Sequence, residues 1–138
     1  SGKIFFVLNT HFDHIGEIAR RESSKLIMEK IKLYTQKKQY PTIVMGDFNS
    51  TSASGAYKTI TDTTNPLHLT DSRTIASKVN GANWTFHDFG RQPISERKEI
   101  DYIFVNKDVN VISYDVIDGT KTTAYPSDHN AVMVKVSF

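Results

Sequence analysis

Apolar residues are distributed along the chain in two periods, and the change from one to the other marks the elements. A nearly continuous apolar run over Ile4–Leu8, within Lys3–Phe12, predicts a strand covered on both faces. From about Ile15 to Lys38 the apolar positions Ile15, Ile18, Ala19, Leu26, Ile27, Ile31 and Tyr34 follow one helical face, and Pro41 ends any continuation. Ile43-Val44-Met45 reads as a second buried strand that breaks off at Gly46. A short helix is expected over Gly55–Thr61, with Ser52 or Ser54 as N-cap. Leu67–Ser72 is ambiguous, and Trp84–Gly90 is an aromatic cluster that begins as a strand. Gln92–Lys98 is a polar loop. Three more strands follow at Ile100–Val105, Val109–Ile117 and Ala131–Phe138, with a loop over 120–129 before the last. This order predicts an α/β (α+β) chain with a mixed sheet and helices on one face.

Composition narrows this picture rather than changing it. The 138 residues suffice for one domain, with no internal boundary expected between 1 and 138, and the hydrophobic fraction of 38% is that of a globular protein. No apolar run is long enough to span a bilayer. With no cysteine, disulfides and thiolate metal sites are excluded, and any compartment is allowed. The net charge of +2 permits a polyanionic partner without demanding one, so nucleic acid is possible but not indicated. The basic residues of the long helix are either a phosphate-attracting surface or a solvated helix face.

Four stretches place side chains of catalytic type at or within strands: Asn9-Thr10-His11, Asp47-x-Asn49, Asp101 and Ser127-Asp128-His129. If the second strand stays extended, the two-residue period puts Asp47 and Asn49 on one face with Phe48 opposite. A carboxylate among apolar strand residues, as at Asp101, is costly unless paired, and a histidine is a natural partner; otherwise it faces water from an edge strand. Asp128 and His129 are adjacent in extended backbone and serve different partners.

Asn9-Thr10-His11-Phe12-Asp13-His14, Gly46-Asp47-Phe48-Asn49, Ile100-Asp101-Tyr102-Ile103-Phe104 and Ser127-Asp128-His129-Asn130-Ala131-Val132 together resemble the endonuclease/exonuclease/phosphatase family, the metal-dependent phosphoesterases similar to deoxyribonuclease I. The resemblance implies one half, the C-terminal one, of a four-layer α/β/β/α sandwich. It implies that His129, oriented by Asp101, acts on the attacking water or on the scissile phosphate. Asp47 would orient or deprotonate that water, Asn49 would hold a phosphate oxygen or a water, and His11 would donate to a phosphate oxygen. Asp128, with Asp47 and Asn49, is implied as a ligand of Mg²⁺ or Mn²⁺. Trp84 and Phe86 fall where the family places substrate-contacting aromatics, although core packing accounts for them equally. An Arg often precedes the Ile-Asp-Tyr motif, and here Glu99 stands there.

The family's first half carries an Asn and a metal-binding Glu, and neither Glu17 nor Glu22 matches that motif. The chain alone is therefore expected to be incomplete for catalysis, and its bare sheet face to meet the missing N-terminal half or a second copy. The expected function is a phosphodiester or phosphomonoester hydrolase whose substrate the sequence leaves open. The alternative is a non-catalytic binding module that keeps the sheet. A secreted or periplasmic location is compatible with a signal lying outside these residues.

Overall fold

The computed structural model describes residues 2–35, 38–118 and 125–138. Residues 36–37, near the helix end expected at Lys38, and 120–124 of the expected loop lie outside them. Strands β1 (Phe6–His11), β2 (Thr42–Asp47), β3 (Thr70–Asp71) and β5 (Asp101–Val105) form one sheet in the order β1-β2-β5-β3; β4 (Lys78–Asn80), β6 (Asn110–Ile117) and β7 (Ala131–Ser137) form a second in the order β4-β6-β7. Three helices accompany them: α1 (Glu17–Thr35), α2 (Gly55–Thr61) and the single turn α3 (Ser72–Ile75). β1 runs parallel to β2, and β2 runs antiparallel to β5, so the first sheet is mixed, as expected.

Side-chain alternation divides the first sheet into two faces. Val44, Tyr102 and Phe104 pack with Ile27, Met28 and Ile31 of α1 and with Ala56 and Ile60 of α2, which puts both helices on one face. Phe48 is the hinge of this core, edge-on to Phe12, Tyr102 and Phe104 at 4.8–5.9 Å between ring centroids. On the opposite face Ile103 and Val105 meet Ile43, Met45 and the β7 residues Val132, Val134 and Val136. At the β1 edge this face is open. Val7, which pairs with Ile43, is 39% exposed. The strand expected to be covered on both faces is thus covered on one, because α1 supplies a partner for Phe6 and Leu8 and nothing among the described residues supplies one for Val7.

The ends of elements differ from expectation for local reasons. β1 starts at Phe6 because Phe5 turns away to stack on Phe138 with 5.3 Å between rings. α1 starts at Glu17 because the Asp13 carboxylate accepts the Gly16 N–H at 2.7 Å and the Ile15 N–H at 3.3 Å, capping the helix and holding the Asp13 carboxyl below the usual range. Ser54 caps α2 by accepting the Tyr57 N–H at 3.1 Å. The aromatic segment 84–90 forms no strand. It makes isolated bridges from Phe86 to Lys98 and His129 instead.

Gly46 controls the spacing of β1 and β2. Its φ of +140° is closed to other L-residues, and a Cβ there would sit 1.8 Å from the Thr10 carbonyl oxygen. A Gly46→Ala substitution is expected to cost about 3 kcal/mol or more, read as a lower midpoint in urea denaturation, because backbone rather than a movable side chain fills the space.

Candidate active site

The strand register sets the site. His11 pairs with Asp47 across β1 and β2, and Asp47 pairs with Asp101 across β2 and β5. Three chemically active side chains therefore stand in one row at the ends of adjacent strands. Two carboxylates facing each other across strands repel, so the arrangement needs positive charge nearby. His129, delivered by the segment before β7, reaches both carboxylates. Its Nδ1 lies 2.8 Å from Asp101 Oδ2, and its Nε2 lies 3.9 Å from Asp47 Oδ2. His11 Nε2 approaches the same Asp47 oxygen at 3.3 Å.

The pairing at Asp101 fixes the imidazole's role. An ionised carboxylate only accepts, so Nδ1 is the protonated nitrogen and Nε2 is left to the cleft. The bond to Asp101 raises the His129 pKa, burial opposes the rise, and the charges of Asp101, Asp47 and Asp128 add to it. Burial pushes the Asp47 carboxyl above its ordinary value, the neighbouring Asp101 charge adds to that, and the Asn49 N–H with both histidines opposes it. Asp101 does not face bulk water: β2 pairs with it on one side, and on the other, beyond the reach of β3, the Thr85 side chain takes its N–H. Its backbone N–H and that of Ile100 both donate to Thr85 Oγ1, at 3.2 and 3.1 Å, and Thr85 is fully buried. The aromatic segment thereby clamps the start of β5.

Asn49 reaches the site by a turn rather than by strand alternation. β2 ends at Asp47, Asn49 takes a φ of +45°, and its backbone N–H folds back to Asp47 Oδ1 at 2.7 Å. Its Nδ2 donates to the Phe12 carbonyl at 2.9 Å and to Asp47 Oδ2 at 3.2 Å, which leaves its own carbonyl oxygen free of these bonds. Phe86 lies against the His129 ring at 5.0 Å, whereas Trp84 is buried behind it between His87 and Arg97. The structure thus joins His11, Asp47, Asn49, Asp101, His129 and Phe86, and leaves Trp84 a step away. The Asp128 backbone carbonyl accepts the His87 N–H, and its carboxylate does not join the group of Asp47, Asp101 and His129, whose donor atoms all lie within 4.8 Å of one another. Glu99 turns away from the site, accepting from Arg73 at 3.3 Å and Tyr114 at 3.2 Å.

Sequence reasoning gave no role to Asn130. It lines the 360 Å³ cleft that Asp47, Asp101 and His129 open onto, is 4% exposed, and its Nδ2 has no hydrogen-bond partner. A buried amide left unbonded is costly, and its sequence signal was only its place beside His129.

The profile of the endonuclease/exonuclease/phosphatase family matches residues 2–129, and the chain belongs to that family, which comprises hydrolytic enzymes including phosphatases and nucleases. Among solved structures, an endonuclease/exonuclease/phosphatase protein from Bacteroides vulgatus is 43% identical with a TM-score of 0.85, covering 99% of this chain and 51% of its own. A mannosyl-6-phosphatase from Bacteroides thetaiotaomicron is 33% identical with a TM-score of 0.87, covering 100% of this chain and 53% of its own. Beta toxin from Staphylococcus aureus, in a structure with bound magnesium ions, is 18% identical with a TM-score of 0.64 over 93% of this chain and 51% of its own, a likeness of fold alone. No curated protein sequence matches the chain. The chain spans about half the length of these solved relatives. Among the described residues no helix is long and apolar enough to cross a membrane.

The His129–Asp101 pair gives a pH prediction. A histidine whose folded pKa is raised adds stability that is full below its ordinary value and fades as pH rises through the raised one. Asp101→Asn is expected to lower the His129 pKa, followed by NMR titration of the imidazole in metal-free buffer, and to remove that pH-dependent stability.

Proposed function

We propose that this chain carries the catalytic half of a divalent-metal-dependent phosphoesterase that hydrolyses phosphate esters with an activated water. The observation that carries this reading is the cross-strand row of His11, Asp47 and Asp101 with His129 bridging the two carboxylates. Phosphoryl transfer needs positioning and neutralisation of oxygen charge more than covalent help, and the row supplies both.

His129 Nε2 takes the proton of the attacking water, and Asp101 balances the imidazolium that results. The raised pKa suits that task, since it strengthens the base. Asp47, 3.9 Å from Nε2, orients the water in the gap between them. His11 donates to a phosphate oxygen from the β1 side. Asn49, anchored through its Nδ2, presents its carbonyl to the same space.

The donor set of facing carboxylates and an amide carbonyl fits a hard divalent cation, Mg²⁺ or Mn²⁺, with Asp47 and Asn49 as its holders and Asp128 as a more distant contributor. Held there, such an ion would supply positive charge to the phosphate oxygens and would lower the pKa of a water. Two holders from one half are few for an ion that takes six oxygens. The remaining ligands come from the N-terminal half, seated on the open face beside Val7, or from a second copy there. Of the family's substrates, a sugar phosphate has support from the mannosyl-6-phosphatase likeness.

The test is hydrolysis of p-nitrophenyl phosphate and bis-p-nitrophenyl phosphate with Mg²⁺ or Mn²⁺ by these residues joined to an N-terminal half, the isolated 138 residues being expected to show little activity. His129→Ala and Asp47→Asn are each expected to lower the rate by about a thousandfold. In Asp101→Asn the acid limb of the rate profile moves to lower pH. Equal rates in all the proteins, or rates unaffected by chelation, would favour a non-catalytic binding module. In sedimentation at micromolar concentration, the isolated 138 residues are expected to self-associate through the open face.

A further inference from the structure

A second cleft, of 470 Å³, lies beside the catalytic row and is not used by it. Asn49 and Phe86 form its wall on the catalytic side, and Gln92, Ser95, Glu96, Arg97 and Lys98 line the rest. Phe86 touches His129 and Asn49 touches Asp47, so whatever fills this cleft is attached within reach of the reacting phosphorus.

Arg97 is the built feature of the cleft. Its guanidinium stacks over the buried Trp84 ring at 4.3 Å, and its Nε donates to the Gln92 carbonyl at 3.1 Å. Both contacts fix the plane of the fork while leaving its two Nη nitrogens without a partner among the described residues. The loop that carries it is tied to the site, since the Thr85 and Phe86 N–H groups both donate to the Lys98 carbonyl, at 2.9 and 3.0 Å. An oriented cation with an open edge, on a loop clamped to the catalytic strand, has the form of a recognition group.

The rest of the lining selects the ligand. Arg97 and Lys98 only donate, Glu96 only accepts, and Gln92 and Ser95 do both. A second phosphate or carboxylate would satisfy the two cations and leave Glu96 without a donor. Hydroxyl groups, which donate and accept, satisfy all five, and the Phe86 ring offers a flat apolar wall to the C–H face of a pyranose. We propose that this cleft is the leaving-group subsite and takes a polyhydroxylated, sugar-like group, with Arg97 as the specificity-determining residue. The inference rests on the phosphoesterase reading and adds to it a substrate class and the residues that choose it.

The test is an equilibrium NMR titration in Mg²⁺ with two probes, inorganic phosphate and mannose 6-phosphate. Phosphate is expected to shift the His129 imidazole and Asn49 signals only. Mannose 6-phosphate is expected to bind more tightly and to shift residues 92–97 as well. Arg97→Ala should weaken mannose 6-phosphate about tenfold and phosphate by less than about twofold. Ser95→Trp, at an exposed position that leaves the Trp84 stack intact, should show the same split by filling the cleft. Equal weakening of both probes, or mannose 6-phosphate binding no tighter than phosphate while His129 still responds, would overturn the subsite alone. Absence of any response at His129 would overturn the phosphoesterase reading and the subsite with it.

Discussion

Two carboxylates opposed across adjacent strands are a liability, and much of this molecule is arranged to hold them there. The β2–β5 register sets Asp47 against Asp101, and a slip of either strand by one residue would turn its carboxylate to the helical face. That register is locked from behind by Phe48, Tyr102 and Phe104, whose rings interlock against α1 and α2. It is locked at the start of β5 by the buried Thr85 hydroxyl. The pair is flanked by His129 on one side and His11 on the other.

The same economy explains the turn after β2. Gly46 lets the β1 and β2 backbones close on each other, which brings His11 level with Asp47. Asn49, in the left-handed region, then returns its amide to the carboxylate it has just passed. Backbone strain at one residue and a close approach at another are both spent within four positions, at the point where the chemistry is expected.

Much of this was legible in the sequence because strand-end chemistry leaves a local signal. The apolar runs before Gly46 and around Asp101 fixed β2 and β5, and a carboxylate inside the second of them predicted a histidine partner. What was not legible depends on distant contacts. Phe5 leaves the strand for Phe138, the far end of the chain, and no local pattern records that. β3 and β4 have two and three residues, too few to show a period. Asn49 reached the expected neighbour by a turn that strand alternation does not describe. Arg97 read as loop charge, because its meaning comes from stacking on Trp84 and from the cleft beside it. Glu99, placed where the family often has Arg, is absorbed by Arg73 and Tyr114 instead.

Asp47 and Asn49 are proposed to hold a divalent cation beside the Asp101–His129 pair. Paramagnetic broadening by Mn²⁺, added well below one equivalent to the chain, tests it most directly. The account predicts selective loss of the Asn49 side-chain amide and His129 imidazole signals, with helix α1 untouched, and no such loss in Asp47→Asn. Broadening that spreads over the acidic surface, or that persists at His129 without the Asp47 carboxylate, would contradict it.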